Sequence, residues 1–73
     1  KEREMSEHTY KLIELTGSSS ESWDQAIQNA IKKAGETVKH MHWFEVIETR
    51  GYIENDGVKY WQVTIKVGFR IED

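Results

Sequence analysis

The sequence predicts an α+β domain of one helix and three strands in the order β-α-β-β. Three observations carry this. A single stretch keeps its apolar residues at helical spacing, residues 19–34. Two long stretches follow it, residues 43–53 and 58–71, and both read as strands. They are separated by Glu54-Asn55-Asp56-Gly57, a hairpin-turn sequence.

The first element is a short strand over residues 10–16, with Leu12, Ile13 and Leu15 as its apolar content. Thr16-Gly17-Ser18-Ser19-Ser20 then reads as a loop and helix start. Ser18 and Glu21 stand at capping-box spacing, in which a hydroxyl accepts from the first turn and a glutamate reaches back. A phosphate-binding loop would need more glycines and a Gly-Lys-Ser/Thr ending, which is missing here.

In the helix, Trp23, Ala26, Ile27, Ala30, Ile31 and Ala34 form one apolar stripe. Asp24, Gln25, Gln28, Asn29, Lys32 and Lys33 fill the opposite face. Trp23 therefore reads as core. Gly35 is the expected stop, and residues 36–42 cross to the second strand. Gly51 in that strand marks a bend or bulge. The third strand alternates most strictly. Trp61, Val63, Ile65, Val67, Phe69 and Ile71 point one way; Tyr60, Gln62, Thr64, Lys66, Gly68 and Arg70 point the other. The first strand most simply joins the sheet of the other two. One helix covers only one sheet face, so the polar face and the long second strand are left for another subunit or a ligand.

Composition narrows the class. The chain has 73 residues, enough for one domain, with residues 10–73 forming it and 1–9 a flexible N-terminal extension; Met5 reads as the natural start. A domain this small is marginal by itself and needs a disulfide, a metal or partner subunits. There is no cysteine, which excludes disulfides and thiolate metal sites. Oligomerisation is the favoured staple. A net charge of -3, with both signs interspersed, argues against broad phosphate-backbone binding. No apolar run approaches the ~20 residues that span a bilayer. A cytoplasmic protein is the simplest expectation.

No catalytic constellation stands out, and no enzyme is expected. Glu45 and Glu48 are three apart, which in a regular strand puts them on opposite faces. His40 and His42 are candidates for a general base or a metal ligand, but with no orienting carboxylate evident they read first as loop or interface residues. Arg50 and Arg70 read first as cross-strand or solvated cations. Lys33 and Lys39 flank the helix C-terminus, where cations are favoured. Trp43 is less easily explained. It stands next to Phe44, and only one of two adjacent strand aromatics can face the helix. It is either a stacking platform for a flat ligand or an oligomer contact.

Leu15-Thr16-Gly17-Ser18-Ser19, Ala34-Gly35-Glu36-Thr37-Val38, Trp43-Phe44-Glu45-Val46, Arg50-Gly51, Tyr60-Trp61-Gln62-Val63 and Val67-Gly68-Phe69-Arg70 follow one another in order over nearly the whole length. In these segments the chain resembles the dodecins, small flavin-binding proteins. The resemblance implies a sheet of order 1-3-2 wrapped on the helix, and twelve subunits in a hollow shell. It also implies paired isoalloxazine rings stacked between symmetry-related Trp43 residues, with Gln62 bonding the polar ring edge. Arg50 then helps hold the ligand, and Arg70 either does the same or meets a neighbouring subunit. Flavin mononucleotide (FMN) or riboflavin is the implied ligand. Coenzyme A is a further one, with Lys11, Lys33 and Lys39 as its candidate residues. Trp61, next to the glutamine, departs from the family pattern and by alternation faces the helix as core. The function expected is flavin storage and quenching. The competing expectation is a small oligomeric structural or interaction module without flavin.

Overall fold

The computed structural model describes residues 7–71; Met5, most of the 1–9 extension and the last two residues lie outside the described residues. The chain runs β1 (Tyr10–Ser19), α1 (Trp23–Ala34), β2 (Met41–Glu54) and β3 (Gly57–Arg70). The three strands form one sheet in the order β1-β3-β2, with both pairings antiparallel.

The strictly alternating strand is the central one. Its Val63, Ile65 and Val67 are buried against Ala26 and Ala30 of α1, with Ile13, Leu15, Ile27, Ile31 and Met41 packed around them. Gly17 lies opposite Val63. A Cβ at Gly17 would land on the Ala26 carbonyl oxygen and the Ala30 Cβ, so this glycine lets the helix backbone settle directly on β1.

β1 runs three residues past the expected end, because Gly17, Ser18 and Ser19 stay in the ladder opposite Val63, Gln62 and Trp61. The helix start moves accordingly. The cap is Ser22, whose Oγ accepts from the Gln25 amide at 3.0 Å, and the expected Ser18–Glu21 box does not form. Ser19 Oγ instead accepts from the Glu21 amide at 2.9 Å and turns the chain out of the strand. Four serines in five residues offer the same capping chemistry; strand pairing decides among them. The helix ends at Gly35 as expected, but with φ -64 rather than in the left-handed region.

Trp23 is not core. It is 42% exposed. The apolar stripe starts one turn before the buried core does, and Trp23 lies over the region of β2 where Gly51, opposite Trp61, offers no side chain to cover it. Trp61 is half-buried and faces the helix as expected, meeting Trp23 edge to face at 5.0 Å between centroids.

β2 is irregular at three places, and none of them is Gly51, which pairs in register with Trp61. The breaks fall between Met41 and Trp43, between Val46 and Glu48, and between Tyr52 and Ile53. The hairpin turn places Asn55 and Asp56 at φ 52 and 64. Those are the two left-handed positions of a type I′ turn, with Gly57 already in β3. The helix packs on β1 and β3. β2 carries exposed Trp43, Phe44, Val46, Ile47, Tyr52 and Ile53. The subunit measures 55 × 21 × 15 Å with a radius of gyration of 15.2 Å, against ~11 Å for a globule of this length. A rod with an uncovered apolar strand is the shape of a piece of an assembly.

Candidate functional site

The polar sheet face opposite the helix holds every candidate flavin residue, and strand register sorts them into two groups. Trp43 pairs with Gly68 and Arg70 with Tyr10, at one end. Arg50 pairs with Gln62, at the other. Gly68 and Gln62 are six positions apart on β3, roughly 20 Å at strand rise. The register thus sets Trp43 and Gln62 of one chain at opposite ends of the polar face.

Trp43 reaches this face because of a bulge. Met41 pairs with Phe69 on the helix side, and His42 is the extra residue, so Trp43 emerges opposite Gly68 on the polar side. Phe44, opposite Val67, points back to the helix side. Met41, His42, Trp43 and Phe44 join Ile31 and Val67 around a small hollow of about 130 Å³ at the helix C-terminal end. The Trp43 indole lies against Gly68, where a Cβ would overlap Cε2, Cζ2 and Cη2 of the ring. Tyr10 leans on the indole at 5.0 Å and 57°, and His42 meets the edge of Tyr10 at 5.4 Å. Trp43 is 43% exposed. It is a flat aromatic surface backed by the sheet and held at its side. Arg70, nearby on β3, has Nη1 3.4 Å from His8 Nε2.

At the other end a polar chain crosses all three strands. Arg50 donates to Gln62 Oε1 at 2.7 Å and to Glu48 Oε1 at 2.7 Å. Gln62 Nε2 donates to Ser18 Oγ at 3.1 Å. Thr64, 3.4 Å from Arg50 Nη2, shares a 2.8 Å hydroxyl contact with Thr16. The Gln62 amide is thereby fixed in orientation, and each of its ends keeps one further bonding position. The bulge at Ile47 also overturns one expectation. Glu45 pairs with Lys66 and Glu48 with Thr64, so the extra residue brings both carboxylates to the same, polar face. Glu48 is committed to Arg50.

The other candidates are dispersed. His42 packs on Tyr10, while His40 takes φ 62 in the link before β2, its carbonyl accepting from the Arg70 amide at 3.0 Å. Lys11 stands opposite Phe69 on β1. Lys33, in the last helical turn, pairs with Glu36 at 3.5 Å, and Lys39 lies in the link. Among the described residues no three His, Cys, Asp or Glu side chains converge to hold a metal. Sequence reasoning passed over Gly68, Tyr10 and Ser18. Only Gly68 carried a signal, since a glycine inside a strict strand often marks close approach of another group.

A helix covers one face of the three-stranded sheet, and an anchored indole and a polar side-chain chain stand at the two ends of the other. The chain belongs to the dodecin family, whose model, described as Dodecin, matches residues 9–72. A dodecin of Thermus thermophilus is 50% identical over 64 residues, covering 88% of this chain and 93% of the relative. The solved structure of the dodecin from Streptomyces coelicolor superposes with a TM-score of 0.90 at 46% identity, over 94% of this chain and 99% of that one. A more distant relative, the calcium dodecin of Mycobacterium tuberculosis, is 29% identical over 62 residues, covering 85% of this chain and 87% of its own. The β-α-β-β fold and the 1-3-2 sheet order are those of the family.

Proposed function

We propose that the protein is a non-enzymatic flavin store: a cytoplasmic homododecameric shell that holds isoalloxazine rings in pairs between the Trp43 indoles of neighbouring subunits. The observation that carries this is the indole itself, exposed, seated against Gly68 and braced by Tyr10. Such a surface suits a planar conjugated ring. Family membership supports the same reading.

The residues fit a flavin. Gln62 is oriented by Arg50 and Ser18, and retains one acceptor and one donor position for the polar edge of the ring. Because Gln62 and Trp43 of one chain are about six strand positions, roughly 20 Å, apart, both act on one ligand only when they come from different chains. The elongated subunit and uncovered β2 support that assembly. Arg70 lies at the Trp43 end and Arg50 at the Gln62 end, so in this reading Arg50 acts mainly by fixing Gln62.

Stacking on Trp43 excludes water and oxygen from the ring faces. Electron donation from the indole to the light-excited ring quenches its fluorescence and suppresses its photochemistry. FMN or riboflavin is the ligand proposed. Coenzyme A at Lys11, Lys33 and Lys39 has less support, because the Glu36 pairing and the helix C-terminus already account for Lys33.

The test is a fluorescence titration of FMN with apo-protein whose mass is checked by light scattering. Quenching that saturates near one flavin per subunit, on a particle of twelve chains, is the expected result. An intact particle that leaves FMN fluorescence unchanged overturns the flavin reading and favours the interaction module.

A further inference from the structure

We infer that Gly68 is the positioning residue of the stacking platform: its missing side chain is the seat on which the Trp43 indole rests, and the depth of that seat sets the gap a flat ligand must fill. The inference deepens the flavin reading and rests on it for the identity of the ligand, though not for the seat.

Gly68 is buried and lies in register opposite Trp43 on the central strand. Every other residue on this face of β3 from Tyr60 to Arg70 carries a side chain. The backbone does not demand a glycine there, since no glycine of the chain has a positive φ. What demands it is space. A methyl group at Gly68 would overlap three atoms of the indole, Cε2, Cζ2 and Cη2. These belong to the six-membered ring, so the collision lifts the ring's broad end away from the sheet. The indole has few ways to yield. Tyr10 stands against it at 5.0 Å, and Tyr10 is itself backed by His42 at 5.4 Å. With the side blocked, the ring moves outward, toward the ligand. In a site made from two such indoles the displacement enters twice. Planar ligands stack at a nearly fixed separation, and dispersion falls steeply with an added or lost fraction of an ångström. A raised or tilted platform therefore loses affinity while the fold stays whole.

Three variants test this: Gly68→Ala, Trp43→Ala and the double variant. Each is examined as the assembled protein, by light scattering, urea unfolding followed by far-UV circular dichroism, and FMN titration. Gly68→Ala is expected to assemble and to bind FMN at least tenfold more weakly than wild type. It should lower the urea midpoint in the wild-type background and leave it nearly unchanged in the Trp43→Ala background, where the ring it collides with is gone. FMN affinity within twofold of wild type, or an equal midpoint shift in both backgrounds, overturns the inference. If Gly68→Ala does not assemble, the double variant decides: recovery of the particle supports the seat, and failure of both overturns it. If wild-type protein does not quench FMN, the flavin reading falls, and the midpoint comparison alone judges the seat.

Discussion

Trp23 Nε1 donates to the backbone carbonyl of Arg50 at 3.0 Å, tying the first residue of the helix to β2, whereas the helix packs mainly on β1 and β3. The Arg50 side chain, on the opposite sheet face, holds Gln62 and Glu48. One residue thus joins the packing of the helix start to the polar chain across the sheet. Trp23→Phe keeps an aromatic ring against Trp61 and removes the donor. It is expected to lower stability by about 1 kcal/mol, the usual net worth of one such bond. Urea unfolding measures it; no change in the midpoint would show that water replaces the donor without loss.

Trp43→Ala is expected to abolish FMN quenching at concentrations that saturate wild type. Trp43 is 43% exposed and stands outside the buried cluster of Ala26, Ala30, Val63, Ile65 and Val67, so the secondary structure should survive. Circular dichroism and the titration, run on one preparation, separate lost binding from lost fold. A variant that still quenches at wild-type concentration would move the platform elsewhere.

The proposed sharing of each site between chains gives a mixing experiment. Trp43→Ala and Gln62→Leu particles should each bind FMN poorly. Particles co-assembled from both kinds of subunit should regain a fraction of the sites, because some sites then take Trp43 from one chain and Gln62 from another. Mixed particles no better than the average of the two parents would mean that both residues serve a ligand from the same chain.

The sequence made the β3 alternation, the helix stripe and the polar face with Gln62 and Arg70 on it legible, because period 2 and period 3.6 are written directly in residue types. Bulges are not written that way. The extra residues at His42 and Ile47 are ordinary in type, yet they decide that Trp43 faces away from the helix and that Glu45 and Glu48 share a face. Trp23 was misplaced because helical spacing tells which stripe faces the sheet but not where along it the sheet's cover ends. The Trp43–Gly68 seat required knowing the pairing register, which no local pattern contains.

Two glycines should respond oppositely to a methyl group. Gly17→Ala drives a Cβ into the Ala26 carbonyl and the Ala30 Cβ, both on the helix wall, so the whole helix must move. The expected cost is ~1–3 kcal/mol or more, as for overpacked cores, seen as poor soluble yield or a much lower urea midpoint. Gly57→Ala meets nothing nearer than the Glu54 carbonyl at 3.9 Å, at a position without positive φ. It should unfold close to wild type. A tolerated Gly17→Ala would mean that the helix can ride higher on β1 than its packing indicates.

The hairpin offers a gain in stability. Asn55 and Asp56 occupy both left-handed positions of the turn, at φ 52 and 64. Gly57 takes neither position, because the β3 ladder takes it up and it pairs with Glu54. Aspartate tolerates this conformation better than most residues and still carries a Cβ that glycine lacks. Asp56→Gly creates Asn-Gly, the favoured dipeptide of type I′ hairpins. It should raise stability by a few tenths to ~1 kcal/mol, set by the left-handed cost relieved less the extra entropy of an unfolded glycine. The substitution also removes one negative charge near Glu54, which is paired with Lys59 at 2.9 Å. Measuring Asp56→Asn alongside separates the terms: if charge dominates, asparagine gains as much as glycine, and if backbone geometry dominates, only glycine gains.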